Sequence, residues 1–98
     1  MPGYKLTIRA KEDIRTISEY TKQTWGKEQE KAYRESLRMA LGALAKAPKI
    51  GKCRDELAEG LCSFLVGQHV AYYIEKADGI VIVRILHPAM DSEKAAQP

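Results

Sequence analysis

Arg84, His87 and Asp91 follow one another closely at the end of an apolar run, Gly79 to Leu86, near the C-terminus of this 98-residue chain. By type they are a charge stabiliser, an acid or base, and a carboxylate. RNA cleavage by 2′-hydroxyl attack needs those three roles. No nucleophile arrangement accompanies them, and the surrounding segment lacks the Lys/Arg cluster that would hold RNA. Two other readings compete with catalysis. His87 and Asp91 can cap a strand end while Arg84 bridges to a carboxylate such as Glu56. Alternatively, the set, with Met90, is a contact surface.

These residues need a scaffold, and the stretch Gly60–Asp91 supplies it. Three runs rich in Val, Ile, Tyr and Leu are separated by Gly67-Gln68 and by Lys76-Ala77-Asp78-Gly79. Gly followed by a polar residue suits a type II′ hairpin turn, and Asp78-Gly79 suits type I′, so the spacing predicts an antiparallel meander. Strand alternation puts Val81, Val83, Ile85 and His87 on one side, and Ile80, Ile82, Arg84 and Leu86 on the other. Both sides are largely apolar, which implies a sheet covered on more than one face or awaiting a partner. His69, opposite the Gly67 turn, reads as structural.

Upstream, Tyr4, Leu6 and Ile8 alternate with polar residues as in a half-buried strand. From Ala10 the period changes to three and four, through Ile14, Ile17, Thr21 and Thr24, which predicts a helix over 10–25. Glu12 and Asp13 fall in its expected first turn, where the helix dipole favours negative charge. Gly26 suits a left-handed cap. A second helix carries Tyr33, Leu37, Leu41 and Leu44 and stops before Pro48. Tyr20, Trp25 and Tyr33 are expected in interhelix packing. Residues 46–52 read as a loop and 53–57 as irregular. The order β-α-α-β-β-β gives an α+β domain over 1–98, with a helical hairpin on one antiparallel sheet.

Composition narrows the class. At 98 residues, 30% charged and 45% hydrophobic, the chain is of single-domain size. The longest apolar run is too short to span a bilayer, and the N-terminus MPGYKLTIRA lacks the apolar core of a signal peptide, so a cytoplasmic protein with no membrane partner is expected. Cys53 and Cys62 read as free thiols, and His69 and His87 lack paired ligands, so neither metal nor cofactor is expected. Residues 1–54 carry 13 Lys/Arg against 6 Asp/Glu, and residues 55–98 carry 3 against 7, so +7 and −4 combine into the net +3. A basic helical half favours an acidic partner. The best basic patch is Lys46, Lys49, Lys52 and Arg54.

The string Y-x-L-T-x-x-A-x-x-D-I-x-x-I-x-x-Y-T-x-x-x-W-G, from Tyr4 to Gly26, resembles ParE toxins of the RelE/ParE superfamily. So do Gln29, Tyr33, Pro48, Gly51, Glu56 and Gly60-Leu61, and then Gly67, His69, Tyr73, Arg84-Ile85-Leu86-His87 and Met90-Asp91. The resemblance implies the toxin half of a type II toxin–antitoxin module with the fold read above. It implies a poison of DNA gyrase rather than an enzyme, neutralised by a ParD-like antitoxin whose C-terminal segment folds over the toxin. Direct, specific nucleic-acid binding is not expected.

On this reading Leu6, Ile8, Ile14 and Ile17 border the antitoxin contact, through sheet-edge addition or a helix laid in a groove. Arg84, His87, Met90, Lys49, Lys52 and Arg54 are the candidates for contacting the target. RelE-like relatives are ribosome-dependent mRNA endoribonucleases, and Arg84, His87 and Asp91 would carry that alternative here. One departure bears on it: where the family usually has Arg after the Gly-Leu pair, this chain has Cys62. The loss of that cation disfavours a nuclease and leaves a third reading, a degenerate toxin that only binds its antitoxin.

Overall fold

A computed structural model describes residues 3–88. The elements are β1 (Gly3–Leu6), α1 (Ile8–Trp25), α2 (Lys27–Lys46), a short 3-10 turn (Pro48–Ile50), β2 (Lys52–Cys53), β3 (Leu61–Val66), β4 (His69–Lys76) and β5 (Gly79–Leu86). They build one five-stranded sheet in the order β1-β5-β4-β3-β2. The fold is α+β, as expected, with the helical hairpin on one face. The sheet, however, is mixed: β1 runs parallel to β5, and the other pairings are antiparallel. A fifth strand, β2, lies inside the stretch read as loop and irregular chain.

β1 is shorter than its alternation suggested because Thr7 ends it. Thr7 is extended, and its Oγ1 accepts from the Ala10 N–H at 3.1 Å, a helix N-cap. The helix therefore starts at Ile8, which is 76% exposed instead of continuing the buried side of the strand. Glu12 and Asp13 consequently lie beyond the first turn, and the first turn holds no acidic residue. Gly26 joins the helices alone. At φ 95° its N–H caps α1 by donating to Lys22 O, and its carbonyl accepts from Glu30 N–H in α2. The positive φ matches expectation, but its ψ of 169° lies outside the left-handed helical well.

The main core lies between hairpin and sheet. Leu37, Leu41, Leu44 and Ala45 of α2, with Ala10 of α1, meet Val66, Ala71, Tyr73, Ile80, Ile82 and Ile85. Tyr20 and Trp25 stay out of it, 66% and 70% exposed. The inward stripe of α1 is Ala10, Ile14, Ile17 and Thr21; Tyr20 lies off that stripe, and Trp25 is the helix's last residue. On the opposite face a second cluster of Leu61, Tyr72 and Leu86 is packed by Leu57 and Ala58. That second cluster explains why the strands are apolar on both sides.

Two details of the meander depart from simple alternation. Tyr72 pairs with Arg84 but Tyr73 with Ile82, leaving Val83 as an extra, unpaired residue. This bulge flips the parity of β5, so Ile85 joins Ile80 and Ile82 in the main core while Val83 and Leu86 share the other cluster. The Gly67 turn has φ 62° there and no positive φ at Gln68, consistent with type II′. The second turn is not type I′: Lys76 pairs with Gly79, and neither Ala77 nor Asp78 has positive φ. Gly79 is needed for a different reason. A Cβ there would lie 2.1 Å from the carbonyl oxygen of Gly3, the neighbouring residue on β1.

Candidate functional site

Arg84 sits where β5 outruns its neighbour. β1 ends opposite Ile82, and beyond that point the first turns of α1 take over the edge. Thr7 N–H donates to Ile82 O, and Thr7 Oγ1 donates to Val83 O at 2.8 Å. Asp13 then accepts the Ile85 N–H at 3.0 Å and holds the Arg84 guanidinium with both oxygens, at 2.8 and 3.0 Å. The partner of Arg84 is therefore Asp13, not Glu56, whose carboxylate binds Arg54 at 2.8 Å. Hydrogen bonding to Asp13 raises the Arg84 pKa, so the guanidinium is charged at all working pH values, and its charge is neutralised in place.

His87 lies exposed just past β5, its ring edge-on to that of His69 with centroids 5.9 Å apart. Met90 and Asp91 fall outside the described residues, as does the remainder of the C-terminal segment. His69 is tied inward. Tyr33 Oη lies 2.6 Å from His69 Nδ1 and accepts the Gln68 N–H at 3.0 Å. With Nδ1 unprotonated the phenol donates to it, and with Nδ1 protonated the phenol accepts through its second lone pair. Burial, and secondarily the charge of His87, pushes the His69 pKa down.

The sign for stability follows from that shift. A histidine whose pKa is lowered by folding binds fewer protons when folded, so its contribution is complete above the ordinary value of 6.5 and is lost as pH falls below it. Thermal unfolding between pH 8 and pH 5 is therefore expected to show a falling midpoint that flattens in His69→Gln. An unchanged profile in that variant would remove His69 as the cause.

The remaining cations gather at the other sheet edge. Lys49 pairs with Glu75 at 3.0 Å. Arg54 also donates to Ser63 Oγ at 3.3 Å and lies 5.9 Å from the centre of the Tyr72 ring. Lys52 and Arg54, with Ile50, Leu65, Val70 and Pro88, line an open groove of about 560 Å³. Ile50 and Leu65 are 54% and 60% exposed there. Among the described residues, β2 covers only Cys62 and Ser63 of β3, and no strand lies beside the edge from Phe64 to Val66.

Leu6, Ile14 and Ile17 are part-buried against the main core, whereas Ile8 stands in solvent. The structure thus does not gather the named residues into one site. Arg84 and His87 lie at the α1-covered end of β5, and Lys49, Lys52 and Arg54 lie around β2. Sequence reading missed Asp13, the Tyr33–His69 pair and the groove. Asp13 and Arg84 are 71 positions apart, and no local spacing signals such a pair. Among the described residues no group of three or more His, Cys, Asp or Glu is placed to hold a metal ion, and no helix is long and apolar enough to cross a membrane.

A two-helix hairpin on a five-stranded mixed sheet, with its strand-end arginine neutralised and an open groove carrying Lys52 and Arg54 at the far edge, defines an α+β domain. Residues 4–92 match the family model described as the ParE toxin of the type II toxin–antitoxin system, parDE. The chain is 33% identical over 92 residues to Toxin ParE1 of Caulobacter vibrioides, covering 94% of this chain and 95% of that one. It is 30% identical to Toxin ParE1 of Mycobacterium tuberculosis, covering 93% and 94%, and 32% identical to Toxin ParE of Escherichia coli, covering 93% and 89%. A solved structure titled as a chromosomal ParDE TA system from P. aeruginosa shares the fold, with a TM-score of 0.75 at 20% identity over 89% of this chain and 96% of that one. The chain belongs to the ParE toxin family of type II toxin–antitoxin systems.

Proposed function

We propose that this protein is a toxin that acts by binding, poisoning DNA gyrase in the cytoplasm, and that a ParD-like antitoxin neutralises it. The observation that carries the reading is the family match over residues 4–92. The geometry supports binding over RNA cleavage. A nuclease needs a cation free to meet negative charge as it develops, whereas Arg84 already has both Asp13 oxygens. Cys62, in place of the usual arginine, supplies no replacement.

The antitoxin contact proposed for β1 and α1 has Leu6, Ile14 and Ile17 at its border and Ile8 as its exposed member. Lys49, Lys52 and Arg54, with Arg84 and His87, remain the candidates for the target.

Purified protein mixed with gyrase and supercoiled DNA is expected to accumulate cleaved DNA, and a stoichiometric amount of the cognate antitoxin to suppress it. An untouched gyrase together with cut mRNA in a translation extract would replace this reading with the endoribonuclease one. Inactivity in both assays, with antitoxin binding retained, would mark a degenerate toxin.

A further inference from the structure

The two cysteines, nine positions apart in sequence, stand directly opposite each other across β2 and β3. The ladder fixes which kind of pair they form. Arg54 N–H donates to Leu61 O at 2.8 Å, so residues 54 and 61 occupy a hydrogen-bonded position. Antiparallel pairs alternate, and Cys53 and Cys62 therefore occupy the adjoining non-hydrogen-bonded position. There the Cα atoms of a pair lie about 4.5 Å apart and the side chains approach most closely. A disulfide needs Cα atoms roughly 4.4–6.8 Å apart with Cβ vectors on the same side. Residues directly opposed in a ladder meet the second condition by construction.

We propose that Cys53 and Cys62 are a reversible cross-strand disulfide site that locks the edge strand β2 onto β3. This goes beyond the toxin reading and does not depend on it. Both thiols are free in the structure, with Cys53 exposed and Cys62 part-buried. That asymmetry orders the chemistry. The Cys53 thiolate attacks one sulfur of a low-molecular-weight disulfide such as oxidised glutathione, forming a mixed disulfide and releasing one thiol. Cys62, as thiolate, then attacks the Cys53 sulfur and expels the second. Two cysteine thiols are oxidised, one disulfide is reduced to two thiols, and the protons end on the released thiols.

Burial raises the Cys62 pKa, and the charges of Cys53, Asp55 and Glu75 add to it, so the second step accelerates as pH rises. The bond closes a small ring that contains Arg54 and Glu56, whose ion pair lies beside the groove. Cys53 is exposed, so the bond lies open to attack by an external thiol and is readily reduced.

The test is oxidation of the full chain with oxidised glutathione, followed by thiol titration and tryptic mapping. Cleavage after Arg54 separates the two cysteines, so only a disulfide keeps their peptides together. The expected product is a monomer lighter by two hydrogens, with no titratable thiol, a Cys53–Cys62 linked peptide, and an unfolding midpoint raised on the order of 10 °C. Dithiothreitol should reverse all four changes, and Cys53→Ser and Cys62→Ser should each abolish the rise. Thiols that stay titratable, or products confined to glutathione adducts and intermolecular dimers, would overturn the proposal.

Discussion

Asp13→Ala is expected to cost about 3 kcal/mol of stability or more, one of the two largest single-residue effects argued for this protein. The carboxylate performs two tasks at a place where the sheet has run out of strand. One oxygen is shared between Arg84 Nε and the Ile85 N–H, and the other binds Arg84 Nη2. Both side chains are only 14% exposed, so removing the acid leaves a mostly desolvated guanidinium without a counter-charge. It also leaves an edge N–H without its acceptor, which adds to the loss.

A set of variants separates the terms. Asp13→Asn keeps an acceptor for Ile85 and should cost less than Asp13→Ala. Asp13→Leu combined with Arg84→Met removes both charges and should recover most of the deficit, because an apolar pair does not leave a buried ion behind. Denaturant unfolding measures each. An Asp13→Ala variant within about 0.5 kcal/mol of wild type would mean that the pair is solvated and that α1 does not seal this edge.

What the sequence disclosed and what it concealed follow the range of the forces involved. The meander was legible because Gly67 and the Lys76–Gly79 turn are local signals, and the hairpin because Gly26 and Pro48 punctuate two periodic runs. The N-terminus of α1 was misplaced by two residues because Ile8 fits a strand's alternation. The Thr7 hydroxyl, which decides the matter, is committed by Ala10 N–H and by Val83 O. β2 was invisible because two residues carry no periodicity, and the bulge at Val83 because it is a property of pairing with β4.

Tyr20 and Trp25 were expected in interhelix packing on residue type, yet the buried stripe of α1 ends at Thr21. Of the candidate site, residue types were legible but partnerships were not. Arg84 was expected to bridge to a carboxylate such as Glu56, but its carboxylate, Asp13, comes from a helix far away in sequence. The apposition of Cys53 and Cys62 appears only once the register is known.

Tyr73 is the second position where a large effect is expected, because one buried ring ties β4 to the turn at Pro48 and Gly51. It is fully buried in the central strand β4, and its hydroxyl donates to Pro48 O at 2.6 Å, holding the turn that leads from α2 to β2. Burial pushes that hydroxyl's pKa up, so it remains a donor. Gly51 lies against it so closely that a Cβ there would be 1.9 Å from Oη and 2.8 Å from Cζ. The φ of Gly51 is −73°, which any residue adopts, so the ring and not the backbone demands the glycine.

Tyr73→Ala should therefore cost about 3–5 kcal/mol, as for other buried aromatics. Tyr73→Phe should cost about 1–2 kcal/mol through the carbonyl left unpaired. Gly51→Ala should cost about 1–3 kcal/mol through overpacking. The decisive measurement is the double variant. Tyr73→Phe removes the atom with which the new methyl collides hardest, so the pair should cost less than the two changes summed, by about 1 kcal/mol. Strict additivity would show that the turn moves away from the ring freely. In that case the placement of Lys52 and of the groove beside it would not depend on Tyr73.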